Sequence, residues 1–187
     1  MASTFETLLL SQYAFLLSST PQLLSTATLT APTTASVTYT PTSPVTRILC
    51  LWGARSSFAA TAVQLYLQMN GDTAAHYTYC ANQNNNTTVA GAYSNGLATA
   101  IQIGTITAAS GNANYWASGM FVVEGADQTT HAVTAQGTGA AVTSSTNMYS
   151  GTYSGMWAAT TPVTSLTLSP ASGSFIAGSQ FTFYGTS

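Results

Sequence analysis

From Met148 to Trp157 the chain alternates without a break. Met148, Ser150, Thr152, Ser154 and Met156 fall on one face, and Tyr149, Gly151, Tyr153, Gly155 and Trp157 on the other. A period of two belongs to an extended strand whose faces meet different surroundings, and a helix cannot carry it. Val63, Leu65, Leu67 and Met69 repeat the pattern against Gln64, Tyr66 and Gln68, and the run stops at Asn70-Gly71-Asp72. Asn-Gly favours positive φ at two successive residues, which predicts a hairpin with its return strand at His76 to Cys80. Further strands are expected at Arg47 to Trp52, Leu97 to Ile106, Gly119 to Glu124, Thr130 to Ala135, Val163 to Leu168 and Gln180 to Tyr184. Many short strands with Gly and Asn punctuation and little helix predict an all-β fold, an antiparallel β-sandwich.

Residues 1–45 read differently. They hold four of the six prolines, Pro21, Pro32, Pro41 and Pro44, with Thr and Ser between them. Proline fixes φ and removes a donor, so this stretch favours extended segments and edge strands. Ahead of Pro21, Leu8, Leu9, Leu16 and Leu17 form one apolar helical stripe, with Tyr13 between them. The expected organisation is an extended or partly helical N-terminal arm over 1–45 and a β-sandwich domain over 46–187. Two readings of the arm stay open. It is a first helix packed on its own domain, or it docks on a neighbouring subunit, with Leu8, Leu9, Tyr13, Leu16 and Leu17 as the assembly interface.

Charge narrows the function. Only Glu6, Asp72, Glu124, Asp127, Arg47 and Arg55 are formally charged among 187 residues, where an ordinary soluble domain would carry roughly 47. Hydroxyls replace them, 33 Thr and 22 Ser. Two arginines and a net charge of −2 argue against a nucleic-acid partner, which is bound through cations on phosphates. An anionic membrane surface fails for the same reason, and no run of 18 apolar residues is present to span a bilayer. The Leu8 to Leu17 run also lacks the basic flank of a secretion signal. With 45% hydrophobic and 11% aromatic residues the chain is nonetheless expected to fold.

No catalytic or cofactor motif stands out. His76 and His131 are the only imidazoles, each in an expected strand without a second ligand at metal spacing, so no metal and no cofactor are expected. Glu124 and Asp127 are close in sequence but sit at a strand end and its turn, not as a held acid pair. No GxSxG elbow or phosphate-cradling glycine loop occurs. Arg47 and Arg55 are candidates for ion pairs across a subunit boundary or for local hydrogen bonds. Cys50 and Cys80 are read as buried free thiols. A disulfide would close a loop of about 30 residues and contribute roughly 3–4 kcal/mol. Tyr149, Tyr153 and Trp157, on one strand face, suggest either a platform for stacking sugar rings or a buried face of the core.

The stretch Thr164-Ser165-Leu166-Thr167-Leu168-Ser169-Pro170-Ala171-Ser172-Gly173-Ser174-Phe175, closing with Gly178-Ser179-Gln180-Phe181-Thr182-Phe183-Tyr184-Gly185, resembles the C-terminal signature of a broad group of tailed-bacteriophage virion proteins. Leu65 to Asp72 and Ile103 to Ile106 are similar to that group in the same order. The resemblance implies a jelly-roll-like sandwich without a catalytic set, serving as a capsid decoration (cement) or tail accessory protein. This chain departs from the group in lacking Lys and Arg near Thr130 to Ala135. The function expected from residues and resemblance together is a non-enzymatic homotrimer on the outer capsid surface, clamping neighbouring major capsid subunits. The alternative is a tail or fibre module that binds a host glycan or receptor.

Overall fold

The computed structural model describes residues 21–30, 34–86 and 88–186, and over these the chain is an antiparallel β-sandwich. Twelve strands run in the order β1 (Gln22–Thr28), β2 (Val37–Tyr39), β3 (Arg47–Ala54), β4 (Ala62–Met69), β5 (Tyr77–Asn85), β6 (Thr88–Ala98), β7 (Ile101–Thr107), β8 (Ala117–Glu124), β9 (Val133–Ser144), β10 (Asn147–Trp157), β11 (Leu166–Pro170) and β12 (Gln180–Thr186). They divide unevenly. Eight form one sheet, β1-β12-β3-β8-β9-β10-β5-β6, and four form the other, β2-β11-β4-β7.

The alternation seen in the sequence sorts side chains between core and surface. Val63, Leu65, Leu67 and Met69 of β4 are all buried, while Gln64 is exposed and Tyr66 and Gln68 are half-buried. They face Ile48, Cys50 and Trp52 of β3, Phe121 and Val123 of β8, and Phe181 and Phe183 of β12 in a single core. Phe183 stacks on Tyr39 of β2 at 4.5 Å, tying the proline-rich segment to that core.

Three expectations are corrected. The Asn70-Gly71 turn has the expected geometry, with φ of 55° and 64° and a bond from the Asp72 N–H to the Met69 carbonyl. It does not close a hairpin. Both edges of β4 are already taken, by β7 and β11, so the chain crosses to the other sheet, where β5 pairs with β10 and β6. The single strand expected over Leu97 to Ile106 is likewise split at Thr99, with β6 and β7 in different sheets. The described part of residues 1–45 is not a separate arm, because β1 adds an edge to β12 and β2 an edge to β11. Edge positions are where a proline-punctuated segment can pair, since one side of such a strand needs no donors. Leu8, Leu9, Tyr13, Leu16 and Leu17 lie outside the described residues.

The centre of the large sheet is shaped around one indole. Gly119, Gly139 and Gly151 are direct neighbours across β8, β9 and β10, and Trp52 of β3 is paired with Gly119. A Cβ at Gly119 would lie 2.4 Å from Trp52 Cζ2, and one at Gly139 or at Gly104 of β7 would lie 2.8 Å away. The glycines thin both sheets where the ring passes between them. That accounts for a β9 interior, Gly137-Thr138-Gly139, which carries little strand signal of its own.

The block that carries the resemblance also links the two sheets. β11 belongs to the small sheet and β12 to the large one, and Gly173 and Gly178 between them take φ of 75° and 92°. Phe175 and Phe181 meet edge to face at 5.0 Å in the core. Gly173, Gly178, Phe175 and Phe181 of the block therefore have a task in folding.

Candidate functional site

The face of β10 proposed for sugar stacking turns into the sandwich. Tyr153 and Trp157 are each 3% exposed, and Tyr149 is half-buried. The Tyr153 hydroxyl donates to Thr105 Oγ1 at 3.2 Å, and a Cβ at Gly155 would strike Ile101 Cγ2 at 2.5 Å. Tyr153 and Trp157 are thus enclosed, and of the three rings only the half-buried Tyr149 reaches the surface.

Trp157 instead joins a cluster that the sequence did not suggest. Its indole N–H donates to Asp72 Oδ2 at 2.7 Å, and its ring stacks on Tyr77 with centroids 6.4 Å apart. His76 Nδ1 lies 2.8 Å from the same oxygen, and the Ala74 N–H donates to Oδ1 at 2.9 Å. The spacing of Asp72 and His76 looks uninformative because a turn intervenes, yet the crossover folds that turn back on itself. The Trp157 hydrogen bond, then those of His76 and Ala74, hold the Asp72 carboxyl below its ordinary range against the opposing cost of desolvation. A carboxyl depressed in the folded state contributes stability in full above its unfolded value, near 3.9, and loses it as pH falls through the lower folded value. Urea midpoints of the wild type should therefore drop below about pH 4. Asp72→Asn should be less stable at pH 7 and show a smaller drop across that acid window.

The remaining charged and reactive groups are mostly occupied within the fold. Arg47 and Glu124 pair at 2.7 Å across β3 and β8, not across a subunit boundary. Asp127 accepts from Gln128 Nε2 at 3.0 Å, and it lines the same groove as Glu124. His131 Nδ1 meets only the neighbouring Thr130 hydroxyl. Cys50 is buried, where desolvation pushes its thiol pKa up, but Cys80 is exposed, which corrects the expectation of two buried thiols. The two stand on β3 and β5, which are not neighbours, and both are free. Among the described residues no three His, Cys, Asp or Glu gather as a metal would require, and no helix is long and apolar enough to cross a membrane.

Arg55 is the exception to the pattern of exposed charge. It is 4% exposed, and among the described residues no carboxylate pairs with it. Nη1 donates to the carbonyls of Asn112 at 2.5 Å and Tyr115 at 2.9 Å, and Nη2 to those of Gly111 at 2.7 Å and Ala109 at 3.4 Å. A planar guanidinium with fixed donors can satisfy several carbonyls at once, and it stays charged although desolvation lowers its pKa. It pins the loop between β7 and β8.

What remains open to a partner is the outer face of the eight-stranded sheet. Its residues can be read along the register. One row runs Leu23, Tyr184, Leu49, Val122, Gln136, Ser154 and Cys80, crossing from β1 to β5. The next runs Thr182, Leu51, Met120, Thr138, Thr152 and Asn82. Leu51, Met120, Met148 and Met156 are about two-fifths exposed, and the only charges on these strands' outer faces are Arg47 and Glu124, which neutralise each other. Three shallow grooves of about 690, 570 and 480 Å³ lie on this face; Met120 lines all three, Val122 the second and third, and Thr138 and Thr152 the first and third. No family model, curated protein or solved structure matches the chain.

Proposed function

We propose that this chain is a non-enzymatic structural subunit whose working state is assembled, and that the assembly is a viral shell which it decorates from outside. The observation that carries the assembly reading is the outer face of the large sheet, whose one ion pair leaves it without net charge. Seven strand spacings make it about 34 Å wide, and strands of 7 to 12 residues make it roughly as long, giving on the order of 1,000 Å². That is enough for one side of a stable interface. Thr, Ser, Asn and Gln dominate it, so docking desolvates little charge and its hydrogen bonds respond weakly to salt. The virion reading adds the likeness of residues 164–185 to tailed-phage virion proteins. An outer position fits a face whose one cation, Arg47, is already paired with Glu124, since the inner surface of a shell meets packaged DNA. A homotrimer on a three-fold axis, bound to major capsid subunits, is the matching arrangement.

A clamp that binds only the assembled shell stabilises it by mass action. Particles lacking this chain should lose integrity at lower temperature and under milder osmotic shock than complete ones. Equal survival of the two would refute the cement role. Thr138→Glu together with Thr152→Glu puts two charges at the centre of the face. This pair should abolish particle binding and leave the unfolding temperature of the free subunit unchanged. A copy number far below that of the major capsid subunit would move the chain to the tail.

A further inference from the structure

The loop that joins β8 to β9 sets one carboxylate at the junction of two cavities. One is the groove of about 570 Å³ at the end of the outer face, with Leu49, Met120, Val122 and Tyr184 as its apolar wall and Arg47, Glu124 and Gln128 on its polar side. The other is a pocket of about 370 Å³ lined by Pro41, Pro44, Pro162 and Val163, with threonine and serine residues among them. Asp127 lines both. The charges there do not balance. Glu124 is held by Arg47 at 2.7 Å, whereas Asp127 takes the neutral amide of Gln128 at 3.0 Å and, among the described residues, pairs with no cation. Arg47 against Glu124 and Asp127 leaves the site one negative charge. We propose that the two cavities together bind an extended segment of a partner protein in which an arginine or lysine, flanked by apolar residues, sets its cation against Asp127.

Charge favours this occupant over a neutral one. Any docked ligand takes water from the half-buried Asp127 carboxylate, and a cation offsets that loss where a neutral group does not. The stem of an arginine or lysine is itself apolar and can lie along Leu49, Val122 and the Tyr184 ring while its head stays at the carboxylate. The apolar neighbours of the cation then have the proline-walled pocket to enter. Prolines fix their own φ, so walls built from them lose little freedom on binding. A second copy of this chain cannot readily supply the cation. It has no lysine, and its arginines are both engaged, Arg47 with Glu124 and Arg55 with four backbone carbonyls. A different protein must bring it. The groove includes neither Thr138 nor Thr152 from the centre of the outer face, and its ligand need not be a capsid subunit.

The test titrates two acetylated and amidated tripeptides, valine-arginine-valine and valine-citrulline-valine, into the isotope-labelled full-length protein and follows its amide resonances. The arginine peptide should shift the amides of Leu49, Val122, Asp127 and Tyr184, together with those of Thr42 and Thr164, in a saturable way. The citrulline peptide should bind more weakly by about fivefold or more. That gap should narrow as salt is added and vanish in Asp127→Asn. Equal affinity for the two peptides, shifts confined to other residues, or no binding would overturn the proposal. So would maltotriose moving the same amides where neither peptide does, which would make the groove a saccharide site. The two peptides are compared in the unaltered protein, so that result stands whether or not the variant folds. No particle enters the experiment, and failure here is distinct from failure of the decoration role.

Discussion

Gly119→Ala should destabilise the sandwich by about 3 kcal/mol or more, lowering the unfolding temperature by roughly 6–12 °C for a chain of this size. The new methyl would sit 2.4 Å from both Trp52 Cζ2 and the Thr138 carbonyl oxygen, and 2.8 Å from Gly139 Cα. None of these is the free end of a flexible side chain. Two are backbone atoms of the adjacent strand, and the third belongs to an indole that is 3% exposed and enclosed by Gly139 and Gly104. Gly53→Ala is the control, because a Cβ there meets nothing nearer than the Ala117 carbonyl at 3.9 Å. It should change stability little or raise it slightly, by stiffening the unfolded chain. Trp52→Phe in the Gly119→Ala background should recover part of the loss by removing the benzo ring, though not the clash with Thr138. Coupling of this kind, read from a double-mutant cycle, separates a shaped slot from a general intolerance of the sheet. Additive effects of the two substitutions would remove the slot from the account.

Arg55→Met should cost about 3–5 kcal/mol, the second large effect. The substitution keeps much of the buried stem but removes every donor from the carbonyls of Ala109, Gly111, Asn112 and Tyr115. The Asn112 carbonyl keeps the Tyr115 N–H at 3.0 Å, so the penalty falls chiefly on the buried Gly111 carbonyl and on the part-buried one of Tyr115. Arg55→Lys should recover less than half of the loss, because a single ammonium cannot span carbonyls that the guanidinium fork reaches from two nitrogens. Hydrogen exchange should localise the damage. Protection should fall first at amides between Ala108 and Tyr115, which the guanidinium organises, and least in β4 and β11. A uniform loss of protection would mean that Arg55 supports the whole core instead of one loop.

Strand identity was legible because it is written locally. The alternations in β4 and β10 place the same residues in the core that their period of two predicts, and Pro21, Pro41 and Pro44 bracket segments that pair only at sheet edges. Where a strand's partners come from distant sequence, the local signal ran out. Asn70-Gly71 specifies the backbone of a turn, but β11 comes from nearly a hundred residues later and occupies the edge of β4 that a hairpin would have used. No strand is expected from the local pattern between Cys80 and Leu97, and β6 takes form there through its pairing with β5. The same limit governs the aromatic face of β10. Tyr149, Tyr153 and Trp157 share one side by simple alternation, but whether that side meets a sugar or Ile101 depends on where β7 lies.

The sequence by itself determined an all-β chain, the residues on each face of its main strands, and a surface poor in charge. Those properties follow from side-chain identity and a two-residue period, which act over a few positions. Only the tertiary structure decided the eight-and-four division of strands, the glycine slot around Trp52, the burial of Arg55 among carbonyls and the meeting of Asp72 with Trp157. Each of these depends on contacts between residues separated by tens of positions, where steric fit and hydrogen-bond satisfaction select among pairings that the local pattern leaves equivalent. The charge scarcity belongs to both. Composition showed that few charges exist, and the fold placed them so that Arg47 and Glu124 cancel and the broad outer face is left neutral.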